Sequence, residues 1–437
     1  MRQATLAFIK RPFVRNVITV TSGTVVAQSI GIAFTPCVTR LYGPEVFGLQ
    51  GLFMSVVALL STVAAMSYPV AMVLPKGDEE AIGLARLSIY VAVGVSLIAA
   101  IALGMFSNEL FSLLKAEAIS AYWFLIPVAM FSSVLGAVLS QWLIRKKQFA
   151  LNAKFAALTS FMLNLTKTGM GFVHPTAMVL IITNILGSIA GTAVTYFGWR
   201  RLMLKRRRLE VHVESTATIR QLANRYGDFP LLRTPQNFIN AVSQNLPVLL
   251  LASYFGTNAA GQYTIAIAVL GVPATLVGGS VMWVFYPRLN EALHNGESAR
   301  PLILRATLGM AASGALPFLI VMLAGPYVFQ LFFGELWRPA GVYAQWLSIW
   351  IFLQYINRPA VAAIPALGLQ GGLLIYEVVS TGSKLLTLWV GFAIYEDPVI
   401  AIASFSLTGS AAYVWLIFWV LRKCAAATRT TDIEEAN

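Results

Sequence analysis

Lys167, Arg358, Lys384 and Glu377 are ionisable residues that interrupt otherwise apolar stretches of the chain. In a membrane helix a Lys or Arg at mid-span costs about 2.5–3.5 kcal/mol on insertion scales, so each asks for a partner or a task. Cations in such surroundings match a buried anion, a phosphate above all. Lys384 and Glu377 share a helix face two turns apart, about 10 Å along the axis. Burial disfavours an ionised carboxyl and a nearby Lys opposes that, so Glu377 is placed either to take up and release a proton or sodium ion as its surroundings change or to balance Lys384 or Arg358. Arg358 stands just before Pro359, and Lys167 shares a face with Asn164.

A second group of residues is uncharged. Asn237, Asn240 and Gln244 fall at i, i+3 and i+7, one face of a helix. Thr21, Thr24 and Gln28 repeat that spacing early in the chain. Carboxamides and hydroxyls both donate and accept hydrogen bonds, which suits the hydroxyls of a sugar. Such faces either line a wet cavity or bond helix to helix within the membrane. Arg233 and Asp228 stand at the mouth of the first stripe, to receive an anionic head group or to anchor the chain. His174, His212 and His294 are scattered, so no metal site is expected. Cys37 and Cys424 fall near opposite membrane faces and do not pair.

These residues must be carried by membrane helices. Hydrophobic residues make up 58% of the chain and charged ones 11%, with mean hydropathy +0.73. Crossing a bilayer takes about 20 apolar residues, and in lipid the backbone must satisfy itself, so the spans are helical. Helices are predicted at residues 16–39, 48–73, 82–105, 120–143, 151–172, 176–199, 236–254, 262–286, 303–324, 342–365, 371–395 and 399–421. Residues 334–339 read as a turn between two spans. The expected fold is an all-α membrane protein of about twelve transmembrane helices in two six-helix bundles.

Charge gives the orientation. With the N-terminus inside, only Arg40, Lys115 and Arg338 of the 31 Lys and Arg face outward, and Lys167, Arg358 and Lys384 lie within spans. The rest collect on the cytoplasmic side, as basic residues do. Both termini are therefore expected in the cytoplasm. The basic runs 145–147 and 205–208 border spans, where they mark topology and attract anionic lipid. The net charge of +13 thus needs no nucleic-acid partner. Arg2, Lys10, Arg11 and Arg15 precede a stretch too long for a signal-peptide core, so an uncleaved first span is predicted.

The longest polar interruption, residues 200–235, divides the chain into lobes at 1–199 and 236–437. The lobes share an aromatic-Gly-x₄-Gly turn, Tyr42-Gly43-Pro44-Glu45-Val46-Phe47-Gly48 and Phe255-Gly256-Thr257-Asn258-Ala259-Ala260-Gly261. The same offset aligns Thr21 with Thr234 and Thr24 with Asn237. An even number of spans per lobe makes this a parallel repeat, an arrangement found in secondary transporters with the substrate site between repeats.

The turn at residues 40–48 resembles the first periplasmic turn of Wzx-type polysaccharide flippases. So does the stretch from Tyr226-Gly227-Asp228-Phe229-Pro230 through Ser243-Gln244-Asn245-Leu246-Pro247-Val248-Leu249-Leu250. These flippases belong to the multidrug/oligosaccharidyl-lipid/polysaccharide (MOP) exporter superfamily. The resemblance implies a V-shaped pair of six-helix bundles in a bacterial inner membrane. It implies alternating-access export of an undecaprenyl-pyrophosphate-linked oligosaccharide for O-antigen, capsule or exopolysaccharide synthesis. Polymerase and chain-length proteins of the same pathway would be partners, and no cofactor is implied beyond a proton or sodium gradient. Two other readings stay open at this point. A multidrug antiporter of the same superfamily fits the span count, although cation exporters usually carry a carboxylate in span 1 or span 7 and this chain has none there. A membrane-embedded polymerase or ligase would expose catalytic residues on a sizeable outer loop, and the outer loops here are short.

Overall fold

The computed structural model describes residues 12–75, 77–113, 116–206, 218–294, 297–367 and 369–436. Within these, the side chains of 12–24, 113, 149, 202–206, 275–284, 286–287, 290, 294 and 425–436 lie outside the described set. Thr21 and Thr24 fall there by side chain. Lys115, Arg207, Arg208 and the rest of the linker to residue 217 lie outside the described residues altogether.

All twelve predicted segments lie in helix. In the first half the helices are α1 (Pro12–Leu41), α2 (Pro44–Ala65), the single turn α3 (Tyr68–Ala71), α4 (Asp78–Leu113), α5 (Leu125–Arg145), α6 (Phe149–Gly171), α7 (Ala177–Arg206) and the short α8 (Ile219–Arg225). Then come α9 (Thr234–His294), α10 (Ala299–Phe333), α11 (Arg338–Ile356), α12 (Arg358–Ala366), α13 (Gln370–Tyr395) and α14 (Pro398–Ala436). No strand occurs among the described residues.

Nine helices among the described residues are long and apolar enough to cross a membrane. The difference from twelve has three sources. Residues Phe229–Ala274 count once, yet contain a sharp break at Gly256. In α1 the described side chains begin at Val25, which leaves the shorter apolar stretch Val25–Leu41. Helix α6 carries Asn152, Lys154, Asn164 and Lys167, which keep its hydropathy low. The chain is a multi-pass membrane protein.

The breaks have local causes. A 61-residue α9 laid straight would run about 90 Å at 1.5 Å per residue, three times the hydrocarbon core. It turns at Gly256, whose φ of 83° favours glycine. Helix α10 departs from helical geometry at Ala324, two residues before Pro326. Between α2 and α3 the backbone passes through two consecutive left-handed residues, Met66 and Ser67.

By its internal contacts the chain forms two compact units, Met1–Gly261 and Gln262–Asn437. Residues 236–261, assigned from the sequence to the second lobe, thus group with the first unit. In that unit Leu52 and Phe53 of α2, Leu84 of α4, Met130 and Val134 of α5, and Ile181 and Ile185 of α7 share one core. Helix α1 lies along α6, where Ser160 Oγ donates to the Ala27 carbonyl at 2.8 Å. The small face of α7 packs on α6, with Gly187 against Leu163 and Gly191 against Thr159. In the second unit Leu289, Ile303, Ile364, Leu416 and Val420 form a core. The turn at 334–339 is clasped by the buried Gln262, which donates to the Leu336 carbonyl at 2.8 Å and accepts from the Ala340 N–H at 3.0 Å.

Candidate functional sites

In the first unit the polar stripe of α9 faces the broken end of α2. Asn237 Nδ2 donates to Ser67 Oγ at 3.1 Å, and Thr234 Oγ1 lies 3.1 Å from the same oxygen. The left-handed pair Met66–Ser67 ends the α2 ladder at this point and turns Ser67 toward these groups. Leading into the stripe, Phe229–Arg233 winds as a turn of π-helix, a form common at functional positions.

A pocket of about 430 Å³ opens here. Its polar lining is Thr62 and Ser67 from α2 and its break, Gln141 from α5, and Asn237, Asn240, Gln244 and Asn245 from α9. The remainder is Ala65, Pro69, Val70, Ala137 and Ala241. Among the described residues, none that lines it carries a charge. Asn237, Asn240 and Gln244 are exposed to this space. Asn245 turns one amide hydrogen back to the Ala241 carbonyl at 2.9 Å. The arrangement offers donors and acceptors from five carboxamides and one hydroxyl pair in an apolar frame, the chemistry of neutral polyol recognition.

The structure thus brings three of the candidates together and leaves others apart. Arg233 is exposed, with its guanidinium 5.9 Å from the Phe229 ring centre. Gln28 is half-buried on α1 and does not line the pocket. Lys167 is half-buried on α6, and its carbonyl accepts the Tyr42 hydroxyl at 2.9 Å. Sequence reasoning missed Ser67, Thr62 and Gln141. Gln141 carries a signal, a lone carboxamide late in an apolar span. Ser67 carries none, because nothing in Met-Ser-Tyr-Pro announces a left-handed pair.

Below the pocket one arginine organises the polar end of the unit. Arg145 donates to the carbonyls of Met72 (3.2 Å), Pro75 (2.6 Å) and Gly77 (2.8 Å), and to Asp78 Oδ1 at 3.0 Å. Lys146 also pairs with Asp78, and Arg225 of α8 with Glu80. The run Arg145-Lys146-Lys147 therefore does more than mark topology, since its first residue fixes the α3–α4 connection.

The charged candidates Arg358, Glu377 and Lys384 fall in the second unit. Lys384 is buried, its ammonium 5.5 Å from the Trp350 ring centre and 5.8 Å from that of Phe405. These rings meet edge to face at 5.0 Å, so the cation sits against two π-faces. Glu377 is close enough to Lys384, Tyr376 and Tyr413 for their charges to interact. Gln354 donates to the Tyr413 hydroxyl at 3.0 Å, and Arg358 acts electrostatically on the same tyrosine. Asn357, at the joint between α11 and α12, is buried with neither amide atom hydrogen-bonded. The second unit therefore holds polar groups of both charge signs near Tyr413, among them Gln354, Arg358 and Glu377. Among the described residues no cluster of His, Cys, Asp or Glu could hold a metal ion.

Residues 37–341 match the family model described as polysaccharide biosynthesis protein. The chain belongs to the polysaccharide biosynthesis protein family. It is 24% identical to the teichuronic acid biosynthesis protein TuaB of Bacillus subtilis over 44% of this chain and 41% of that protein. It is 23% identical to the succinoglycan biosynthesis transport protein ExoT of Rhizobium meliloti over 71% of this chain and 61% of that one. The chain thus spans less than two thirds of the length of either relative. Its fold is shared with solved transporter structures. The lipid II flippase MurJ in an inward closed conformation superimposes with TM-score 0.73 at 13% identity, covering 95% of this chain and 91% of that one. An inward-facing multidrug resistance MATE family transporter of the MOP superfamily gives 0.67 at 17% identity, covering 95% and 99%.

Proposed function

We propose that this protein moves a lipid-linked oligosaccharide across the bacterial inner membrane by alternating access, with both termini in the cytoplasm. The observation that carries this reading is the uncharged carboxamide pocket at the α2 break. A membrane cavity lined by Gln141, Asn237, Asn240, Gln244 and Asn245 suits sugar hydroxyls and gives an organic cation no counter-charge. That weighs against the multidrug antiporter, although the fold is shared with MATE transporters. The family's biosynthetic setting and the transport names of ExoT and MurJ agree with export of a saccharide built on a lipid, and with a transporter rather than an enzyme.

In this reading Lys384 supplies positive potential for the pyrophosphate, with Arg358 in support. Glu377 takes the coupling ion, and Arg233 meets the head group. Lys167, Gln28 and Thr24 would meet the substrate outside that pocket. The two six-helix lobes would be related by the parallel repeat seen in their shared turns. The test is transport in proteoliposomes holding undecaprenyl-pyrophosphate oligosaccharides. The purified chain should move them to the outer leaflet, and Asn240→Leu with Gln244→Leu should slow this at least tenfold. Equal rates for parent and double variant would remove the pocket from the mechanism. Gradient-driven export of an organic cation instead would favour the antiporter.

A further inference from the structure

A groove of about 510 Å³ runs between α4, α5 and α7 of the first unit, apart from the carboxamide pocket. Its walls are nearly all carbon, with Ile82, Ile89, Leu135, Leu139 and Ile189 among them. Ile82 and Ile189 are exposed, so the groove opens on the outer surface of the helices. Its volume lies in the range of sites that hold a single small ligand or chain.

One end of the groove is polar in a specific way. Trp142 and Trp199 both line it, their rings edge to face at 5.8 Å. Trp142 is 9% exposed. The indole N–H of each is buried with no hydrogen-bond acceptor among the described residues. Two neighbouring buried donors left unpaired in one wall are unusual, because each forfeits its bonds to water. Lys146 holds its ammonium 5.4 Å from the Trp142 ring centre, and Arg200 and Arg201 follow Trp199 directly. Asp78 offsets part of this charge through Lys146, but the basic groups outnumber it.

We infer that the groove is a binding site for an anionic glycerophospholipid, with one acyl chain along the α4–α5–α7 walls and phosphate or ester oxygens accepting from Trp142 and Trp199. An acyl chain matches a wall of Ile and Leu open to the bilayer. An anionic head group matches the basic end. The oxygens supply the acceptors that the indoles lack. A zwitterionic lipid fills the same walls but is disfavoured at the charged end.

Native mass spectrometry of the full-length protein tests this, with phosphatidylglycerol, phosphatidylethanolamine and undecaprenyl phosphate as separate probes. Phosphatidylglycerol should be retained at collision energies that strip phosphatidylethanolamine. Trp142→Phe with Trp199→Phe keeps the rings and removes both donors, and should reduce retention several-fold. Ala193→Phe, which fills the groove from α7, should reduce it as much. Equal retention of the two phospholipids, unchanged retention in both variants, or retention of undecaprenyl phosphate alone would overturn the inference. Labelling of the unaltered protein serves if a variant does not fold. A phosphatidylglycerol with a photoreactive acyl chain should label residues 132–142 and 189–199 several-fold above the exposed apolar stretch 97–105. Even labelling of the three would also overturn it.

Discussion

A buried ammonium against two aromatic faces can be held there for the fold or for a ligand, and a neutral side chain of similar shape separates the two. Lys384→Met keeps the apolar stem against Trp350 and Phe405 and removes the charge. Burying an ammonium costs desolvation free energy that an apolar side chain in the same place does not. The thermal midpoint of Lys384→Met in detergent should therefore equal or exceed the parent's, while transport of the pyrophosphate-linked substrate falls at least tenfold. Lys384→Arg should retain part of the rate, because a diffuse positive potential tolerates a change of cation better than a bidentate site does. A Met variant that transports normally would make the charge incidental. Arg145 gives the opposite pattern. Its three carbonyl contacts and its bond to Asp78 all serve the α3–α4 connection. Hydrogen bonds to a charged group are worth about 1.5–3 kcal/mol each at most, and Asp78 is partly exposed, so the lower figure applies to that one. Arg145→Ala should lower the thermal midpoint by several degrees, and Arg145→Lys should recover little, since one ammonium does not reproduce the guanidinium's spread of donors. An unchanged midpoint for Arg145→Ala would mean that the connection is held by its other contacts.

The two aromatic-Gly-x₄-Gly turns meet. A Cβ built on Gly48 at the start of α2 would lie 1.8 Å from the Thr257 carbonyl oxygen, and one built on Gly261 would lie 1.8 Å from that of Pro44. The offset from Pro44 to Thr257 is also the offset from Gly48 to Gly261, so the contact is reciprocal, as across a two-fold axis. Both glycines face backbone, which has nowhere to retreat. Either Gly48→Ala or Gly261→Ala should cost about 1–3 kcal/mol by overpacking and push the two turns apart. An impermeant thiol reagent should then label a cysteine at position 257 faster than in the parent, and identical labelling rates would show that the contact yields without opening. What the sequence made legible follows from this kind of pattern. Helix periodicity and hydropathy located the nine long apolar helices of the described residues, and the repeated turn pointed to a pair of equivalent positions. The i, i+3, i+7 spacing placed Asn237, Asn240 and Gln244 on one face. Other features depend on packing between distant segments. The Met66–Ser67 break, the Trp350–Phe405 box around Lys384 and the arginine that ties three carbonyls have no local signal. Gly256 and Gly43 occupy equivalent places in the motif, yet one bends within a long helix at φ 83° and the other is an extended cap at φ −71°.

For the whole molecule, the central question is what drives a net movement of substrate. An anionic head group carried outward moves down a potential that holds the outside positive, and each elementary charge is worth about 2.3 kcal/mol per 100 mV. A cation entering in exchange supplies free energy of the matching sign. In the proposed mechanism Glu377 would make that exchange. It lies within electrostatic reach of Lys384 and of the tyrosines of the second unit. The number of charges on this small cluster therefore sets how strongly an anionic substrate is held there. Protonation or sodium binding at Glu377 leaves Lys384 with its full potential for the pyrophosphate, whereas the ionised carboxylate cancels part of it. In the proposed mechanism ion uptake and substrate binding would in this way be linked by charge. Glu377→Gln fixes the neutral state without changing shape. In proteoliposomes the variant should still exchange lipid-linked oligosaccharide between leaflets, and its rate should no longer respond to an imposed proton or sodium gradient. A gradient response equal to the parent's would move the coupling site elsewhere. If Glu377→Gln fails to fold and Glu377→Gln with Lys384→Met folds and survives purification, the carboxylate serves chiefly to neutralise the lysine. The driving ion would then have to act through another group.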